Sequence, residues 1–529
     1  MAQFSAATRL SARTCILFGC LMLLAAALRL PQLAARPMHS DEAINADKLG
    51  VLLERGEYRY SAADYHGPTL IDAAWVLARA EGITHYVDLT ETTLRLIPAL
   101  AGILLVGMHI FLVPYIGLLG AAASALLTAL SPAMVFYSRN SIHEMLLVLF
   151  TFAFLLASLR YWKQRRTAWA VGAGIFAGLM LATKETAILP LACMAAAAAV
   201  VFALRWRRNC RPPITTSCCI HVALALLAAA CTAALLVSSF CANPRAIADF
   251  VLSYHGYFLR GSGVGTAHVH NWSYYLSLMN YYRADGGPLF TEAFISILAV
   301  AGIVAAVLKS RQARTGSAFL TFLAIYCAAM VAAYSCLPYK VPWSFLGPIH
   351  AMILLGGAGL ASLIEFVRRK ALKAGIAALM LLGCSHLGWQ AWLGSFQLGS
   401  DPANPWVYAQ TGKDVFLIVQ KLELLASTYP AGRAEMPIAI VSRENLWPLP
   451  WYLRRFRRVQ WWNGVSNTAP LAPVYLITPD MEPTLTRRLY EIPPPGQRDL
   501  YMKLFDQPVE LRPGVELRGY AQLSVWEGL

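Results

Sequence analysis

The sequence predicts an α-helical polytopic membrane protein of about eleven transmembrane helices, followed by a small C-terminal α/β domain. Three observations predict it. Of 529 residues, 57% are hydrophobic and only 14% charged, whereas a soluble chain carries about 25% charge. Apolar runs of roughly 18–22 residues, the length that crosses a hydrocarbon core, recur from Cys15 to about residue 394. Beyond that point the pattern changes to short mixed segments.

The spans fall near 14–34, 92–113, 118–137, 142–160, 167–183, 186–204, 218–240, 289–308, 316–335, 342–363 and 373–394. The basic start and first apolar stretch read as an uncleaved signal anchor. The net charge of +15 would suggest nucleic acid in a soluble protein. Here it sits in short connections: Arg9 and Arg13, Arg160–Arg166, Arg205–Arg211, Lys309–Arg314 and Arg368–Lys373. Such loops mark the cytoplasmic side. With the N-terminus inside, alternation places every cluster there, so the expected partners are membrane lipids and no nucleic acid. The expected location is the cytoplasmic (inner) membrane, with the C-terminal domain extracytoplasmic. All eleven cysteines lie at or before Cys384, so no disulfide framework is expected in the tail.

The first outer loop, Pro37–Thr92, is more than a linker. Asp41–Glu54 has the apolar spacing of an interface helix, and a second short helix follows His66-Gly67-Pro68, the proline near its first turn. In the tail, Lys413–Tyr429 has helical periodicity, and Pro437–Val441 and Val474–Thr478 read as buried strands. The expected division is a transmembrane domain over 1–394 and an α/β domain over 395–529. Trp447, Trp451, Tyr452, Trp461 and Trp462 suit a sugar-stacking or membrane-interface surface, or a domain core.

Alternation gathers the polar residues of the spans on the outer face. Asp41 and Glu42 follow the first span. An acid there can take a proton from a hydroxyl or hold a divalent cation near a phosphate; equally, Ser40-Asp41-Glu42 suits a helix start. Arg139, Lys184 and Lys340 end other spans where a phosphate at headgroup depth is reached. Glu144 and Glu185 lie close enough in sequence to orient two of them. His66, His268 and His270, with Glu42, are the metal candidates, although no metal-binding spacing supports them. Arg260-Gly-Ser-Gly-Val-Gly265 neither follows a buried strand nor opens a helix, and reads as a mobile loop whose arginine closes on a phosphate. No GxxxxGK[ST] segment occurs, which argues against ATP-driven transport by this chain alone.

The blocks MHSDEA (38–43), YHGPTL (65–70), YSRNSIHE (137–144), ATKETA (182–187), YKVPW (339–343), NPWVYAQT (404–411) and WPLPWYLRRF (447–456) resemble the signature segments of a prokaryotic flippase-activity-associated membrane protein family. That family is similar to the protein O-mannosyltransferases and the lipid A aminoarabinose transferases of the GT-C glycosyltransferase fold. The resemblance implies a GT-C-like bundle and a sugar donor on polyprenyl phosphate, with a lipid, glycan or protein acceptor. It puts Asp41 and Glu42 at the catalytic position and brings Tyr339 and Trp343 in as supporting residues. The transferase relatives often carry an acid and a lysine where this chain has His66 and Gly67. That leaves Lys184, Arg139, Lys340 or Arg260 to hold the phosphate. The rival expectations are a flippase or flippase-associated protein for lipid-linked sugars, and a non-catalytic subunit that binds them.

Overall fold

The computed structural model describes residues 11–58, 60–61, 66–207, 215–310, 315–466 and 470–527. Arg9, Arg208, Arg211, Arg311 and Arg314 of the basic clusters, and Tyr65 of the YHGPTL block, lie outside these. The chain divides into two compact units. The first comprises Met1–Leu33, Tyr58–Leu77 and Arg95–Tyr408; the second comprises Ala34–Glu57, Ala78–Leu94 and Ala409–Leu529.

In chain order the helices are α1 (Ala12–Arg29), α2 (Ser40–Arg55), α3 (Thr69–Ala80), α4 (Glu91–Met108), α5 (Val113–Leu130), α6 (Pro132–Tyr137), α7 (Glu144–Gln164), α8 (Thr167–Leu181), α9 (Ile188–Arg207) and α10 (Thr216–Val237). They continue as α11 (Arg245–Gly261), α12 (Tyr274–Asn280), α13 (Ala293–Ser310), α14 (Thr315–Cys336), α15 (Leu346–Phe366) and α16 (Lys370–Trp392). Every span expected from hydropathy coincides with an apolar helix. Among the described residues, 9 helical stretches are long and apolar enough to cross a membrane. One of these, Glu91–Leu130, contains both α4 and α5, and α8 is a shorter apolar helix.

Within the first unit the bundle packs through small residues, as expected where lipid removes the hydrophobic drive between helices. Gly302 of α13 lies against Leu355 and receives Gly359 of α15; Gly120 of α5 meets Gly357. The loop expected over Cys241–Pro288 contains α11. Its Val251, Leu252 and Phe258 are exposed, while Phe250 and Ser253 are buried.

The second unit is built on a sheet with α17 (Asp414–Thr428) and α18 (Leu449–Tyr452) among its helices. Its strands are β1 (Ile438–Val441), β2 (Val459–Trp462), β3 (Val474–Ile477), β4 (Tyr501–Lys503), β5 (Val509–Arg512) and β6 (Val515–Gln522). They run β2-β1-β3-β6-β4, with β5 on β6. β1 and β3 are buried on both faces and pair in parallel, Ile438 against Val474 and Val441 against Ile477. Continuous apolar runs are what a central, doubly covered strand requires. Of the tail aromatics, Trp451 is fully buried, under the Arg454 guanidinium at 3.7 Å and donating to Glu91. Trp461 is exposed.

Candidate active site

In the first unit, residues 66–69 lie against residues 182–184 as a short ladder. His66 bridges Lys184, Gly67 N–H donates to the Thr183 carbonyl at 3.2 Å, and the Thr69 and Thr183 hydroxyls bond at 2.8 Å. His143 Nε2 lies 3.1 Å from the Gly67 carbonyl. A Cβ built on Gly67 would sit 2.0 Å from the Ala182 carbonyl oxygen, and that obstacle is backbone. No side chain fits at 67 with the two segments zipped together.

The ladder presents Lys184 and Glu185 on opposite errands. Lys184 forms an ion pair with Glu144 at the head of α7, both almost fully buried. Burial works against the Lys184 ammonium, and the Glu144 carboxylate outweighs it, so the pKa ends above the usual lysine value. The pair lies in the wall of a small cavity of about 20 Å³, room for about one water. α7 also contributes Leu147, Val148 and Thr151, α14 gives Met330 and Tyr334, and Thr186, Trp343 and Ser344 complete the polar and aromatic lining. Trp343 is held edge-on by Tyr137 and Tyr408, at 6.3 and 5.9 Å.

Glu185, 1% exposed, accepts from Tyr60 at 3.3 Å and lies 3.3 Å from His66 Nδ1. Tyr257 of α11 reaches the same nitrogen at 3.0 Å. Burial, reinforced by the Glu185 charge, pushes the Tyr257 phenol upward, so it stays a neutral donor. Arg260 lies one turn further on α11, 6.0 Å from the Tyr257 ring.

The other cations expected at a phosphate have different surroundings. Arg139 is buried and donates to the carbonyls of Arg29, Pro31 and Gln32 at 3.0, 2.7 and 3.2 Å, where α1 ends. Arg29 donates to the carbonyls of Thr128 and Ala129, and Arg95 to that of Leu33. The Lys340 ammonium donates to the carbonyls of His270 and Leu337. His268 Nδ1 lies 2.6 Å from the Tyr408 hydroxyl and His270 stacks on Tyr274 at 4.1 Å. Tyr339, edge-on to His268, forms a bridge with Val269. Among the described residues no group of three or more His, Cys, Asp or Glu side chains is arranged to hold a metal ion.

In the second unit, the adjacent acids differ sharply. The cap of α2 is His39, with Ser40 the first helical residue; His39 Nδ1 accepts from Asp41 N–H at 3.1 Å. Glu42 closes the reciprocal half, its carboxylate accepting from His39 N–H at 2.9 Å. It is fully buried, with Arg36 at 3.8 Å. The Asp41 side chain is 48% exposed. Of the two acids, only Asp41 reaches solvent.

Three contributors escaped the sequence reading. Tyr60 and Tyr257 are ordinary loop aromatics until folding brings them to Glu185. Glu292, 2% exposed at the head of α13, carried the same mark as Glu144, an acid beginning an apolar run. Its carboxylate accepts from the Ser131 hydroxyl and from Ala133 N–H at 2.9 Å.

The model of a family described as dolichyl-phosphate-mannose-protein mannosyltransferase matches residues 72–235. ArnT from Cupriavidus metallidurans bound to undecaprenyl phosphate is similar with a TM-score of 0.62 at 16% identity, over 96% of this chain and 98% of that one. The oligosaccharyltransferase AglB from Archaeoglobus fulgidus, in complex with an inhibitory peptide and a dolichol-phosphate, gives 0.51 at 14% identity, over 89% of this chain and 70% of that one. No curated protein matches the chain. At these identities the likeness is one of fold.

Proposed function

From the premise that this is a multi-span membrane protein of the GT-C glycosyltransferase fold, we propose that it transfers a sugar from a polyprenyl-phosphate donor to an acceptor hydroxyl at the outer face of the cytoplasmic membrane. The observation that carries the proposal is the buried Lys184–Glu144 pair in the wall of a cavity. The fold is shared with two proteins whose structures hold undecaprenyl phosphate and dolichol-phosphate.

The acceptor oxygen attacks the anomeric carbon as the bond from that carbon to the phosphate oxygen breaks. The electron pair leaves with the polyprenyl phosphate, and the acceptor proton passes to a base. We assign the base to Asp41, the half-exposed member of the acid pair, and the packing of its helix to Glu42. Charge grows on the phosphate in the transition state, where a fixed cation stabilises it most. Lys184 is assigned to that task, with Arg260 as the second cation. A single displacement inverts the anomeric centre.

The test is transfer by the full-length protein in liposomes carrying a polyprenyl-phosphate sugar, followed by mass spectrometry of the acceptor. Asp41→Asn is expected to lower the rate by about a hundredfold or more. A wild-type rate in that variant removes Asp41 as base. Movement of the donor between leaflets with no glycosylated product overturns the transferase reading in favour of a flippase.

A further inference from the structure

We propose that α11 is seated in the membrane, its outward face among the acyl chains of the leaflet in which α10 ends, and that this lipid contact holds the helix against His66 and Glu185. The helix carries this face whether or not the chain transfers sugar. The observation behind it is a reversed polarity. At about 3.6 residues per turn, Ile247, Val251, Leu252, Phe258 and Leu259 fall on one half of the helix, and they are 39, 63, 68, 76 and 40% exposed. The other half is buried or half-buried, and it carries the polar side chains Asp249, Ser253, Tyr254, Tyr257 and Arg260. A surface helix in water is built the other way round, apolar inward and polar outward. An exposed apolar face of this kind marks a contact with a partner or a membrane.

The surroundings make that contact lipid rather than protein. The chain reaches α11 directly from the membrane. α10 is an apolar span whose Leu226 and Leu227 are 67 and 59% exposed. At its end Ser239, Phe240 and Cys241 are all left-handed, with φ of 51, 56 and 72°, and they turn the chain. Phe240, in that turn, is 64% exposed, so the lipid-facing surface of α10 continues into the outer half of α11. Arg245 opens the helix and Arg260 stands in its last turn, which sets a cation at each end where phospholipid phosphates lie. That is the build of a helix lying in the interface. His255, exposed between them, has the apolar body and polar tip that suit the headgroup boundary.

The inner half is fastened to the cluster around Glu185. Tyr257 reaches His66 Nδ1 at 3.0 Å, and Phe250 meets the Tyr60 ring edge-on at 6.1 Å. Both His66 and Tyr60 contact Glu185. With lipid on one side and this cluster on the other, Tyr257 and Arg260 are held at headgroup depth.

The experiment uses the full-length wild-type protein in phosphatidylcholine liposomes that contain a phospholipid with a photoactivated diazirine on its acyl chain. After illumination, adducts are mapped to peptides by mass spectrometry. Residues 247–259 are expected to be labelled within about threefold of the α10 segment around Leu226. A water-soluble diazirine added instead is expected to leave them as poorly labelled as that segment. Lipid labelling of α10 without α11 overturns the proposal. So does labelling of α11 by the aqueous probe alone. Protection from both probes overturns it as well, and would give the face to protein, such as a second copy of the chain.

Leu252→Gln with Phe258→Gln makes the outer half polar. Lipid adducts on α11 are expected to fall at least about fivefold while those on α10 stay as before, and the amides of residues 250–260 are expected to exchange at least about tenfold faster. Loss of the adducts at unchanged exchange would show that lipid does not hold the helix against His66. If the double variant fails to fold, Leu252→Gln alone and the wild-type labelling decide.

Discussion

Two regions of the first unit bury cations, and they use them in opposite ways. Where α1 ends, Arg29, Arg95 and Arg139 turn their guanidiniums onto backbone carbonyls from Leu33, Thr128, Ala129, Pro31 and Gln32. Each closes off helix ends and turns whose acceptors would otherwise be orphaned. At the ladder of residues 66–69 and 182–184, Lys184 is held by one carboxylate and borders a small cavity. The first arrangement uses up the donors of a planar fork on fixed structure. The second keeps a compact charge at the edge of a cavity, where a ligand can share it. A buried cation therefore becomes a candidate for chemistry through what its partners leave over, not through its charge.

Breaking the second region should have the largest effect. Lys184→Met is expected to lower transfer by about a hundredfold or more and to destabilise the protein by about 3–5 kcal/mol, because Glu144 is stranded. Lys184→Met with Glu144→Gln is expected to recover the melting temperature and not the transfer. Recovery of both would make the pair purely structural.

Arg139→Met tests the first region and should show the reverse pattern. Stripping its carbonyl partners is expected to cost about 2–4 kcal/mol, read as a lower melting temperature in detergent. Transfer per folded molecule should stay within about threefold of wild type. A collapse of transfer at unchanged stability would move Arg139 into the site.

Gly67→Ala sharpens the boundary between them. The added Cβ collides with the Ala182 carbonyl, so the ladder must open, at a cost of about 1–3 kcal/mol. A variant as stable as wild type would show that the ladder is dispensable. Tyr257→Phe removes one hydrogen bond to His66 and is expected to cost about 1 kcal/mol, measured by thermal melting.

The smallest effect is expected from Asp72 on α3, whose buried Oδ2 has no hydrogen-bond partner among the described residues. Burial raises its pKa to about 7. An acid with a raised folded pKa stabilises the fold below its unfolded value, and that stability is lost as pH climbs through the folded pKa. Asp72→Asn should therefore melt a few degrees above wild type at pH 8, with the gain shrinking as the pH falls and gone only below about pH 4. A gain independent of pH would mean that Asp72 is not the titrating group.

The membrane helices were legible because each needs only a long apolar run, and lipid imposes that locally. Buried strands Ile438–Val441 and Val474–Ile477 were legible for the same reason. α11 was read as loop because its exposed apolar side chains are interleaved with Tyr254, Tyr257 and Ser253, so no window is apolar enough. The candidate cations were legible as positions and not as roles. Arg139, Lys184 and Lys340 carry the same local mark, a lone charge at the end of an apolar run. Apart from Leu337 beside Lys340, the partners named for them come from residues 40 to 110 positions away. Glu42 shows the limit most clearly: it was paired with Asp41 by adjacency, and one step around the helix turned it into a buried cap.

Glu292 has a consequence for the order in which the protein is made. From 161 positions downstream its carboxylate accepts from the hydroxyl of Ser131, the residue that caps α6, and from Ala133 N–H in the first turn, and the Tyr137 hydroxyl at the other end of that helix donates to the Trp406 carbonyl. α6 leaves the ribosome long before either partner exists. A six-residue helix is too short to be stable alone in water, and beyond the local Ser131 cap its tertiary partners arrive only once α13 and the segment around Trp406 have been synthesised. The turn that carries Arg139 toward the end of α1 is thus completed late, and assembly of the first unit closes backward onto its own early segments.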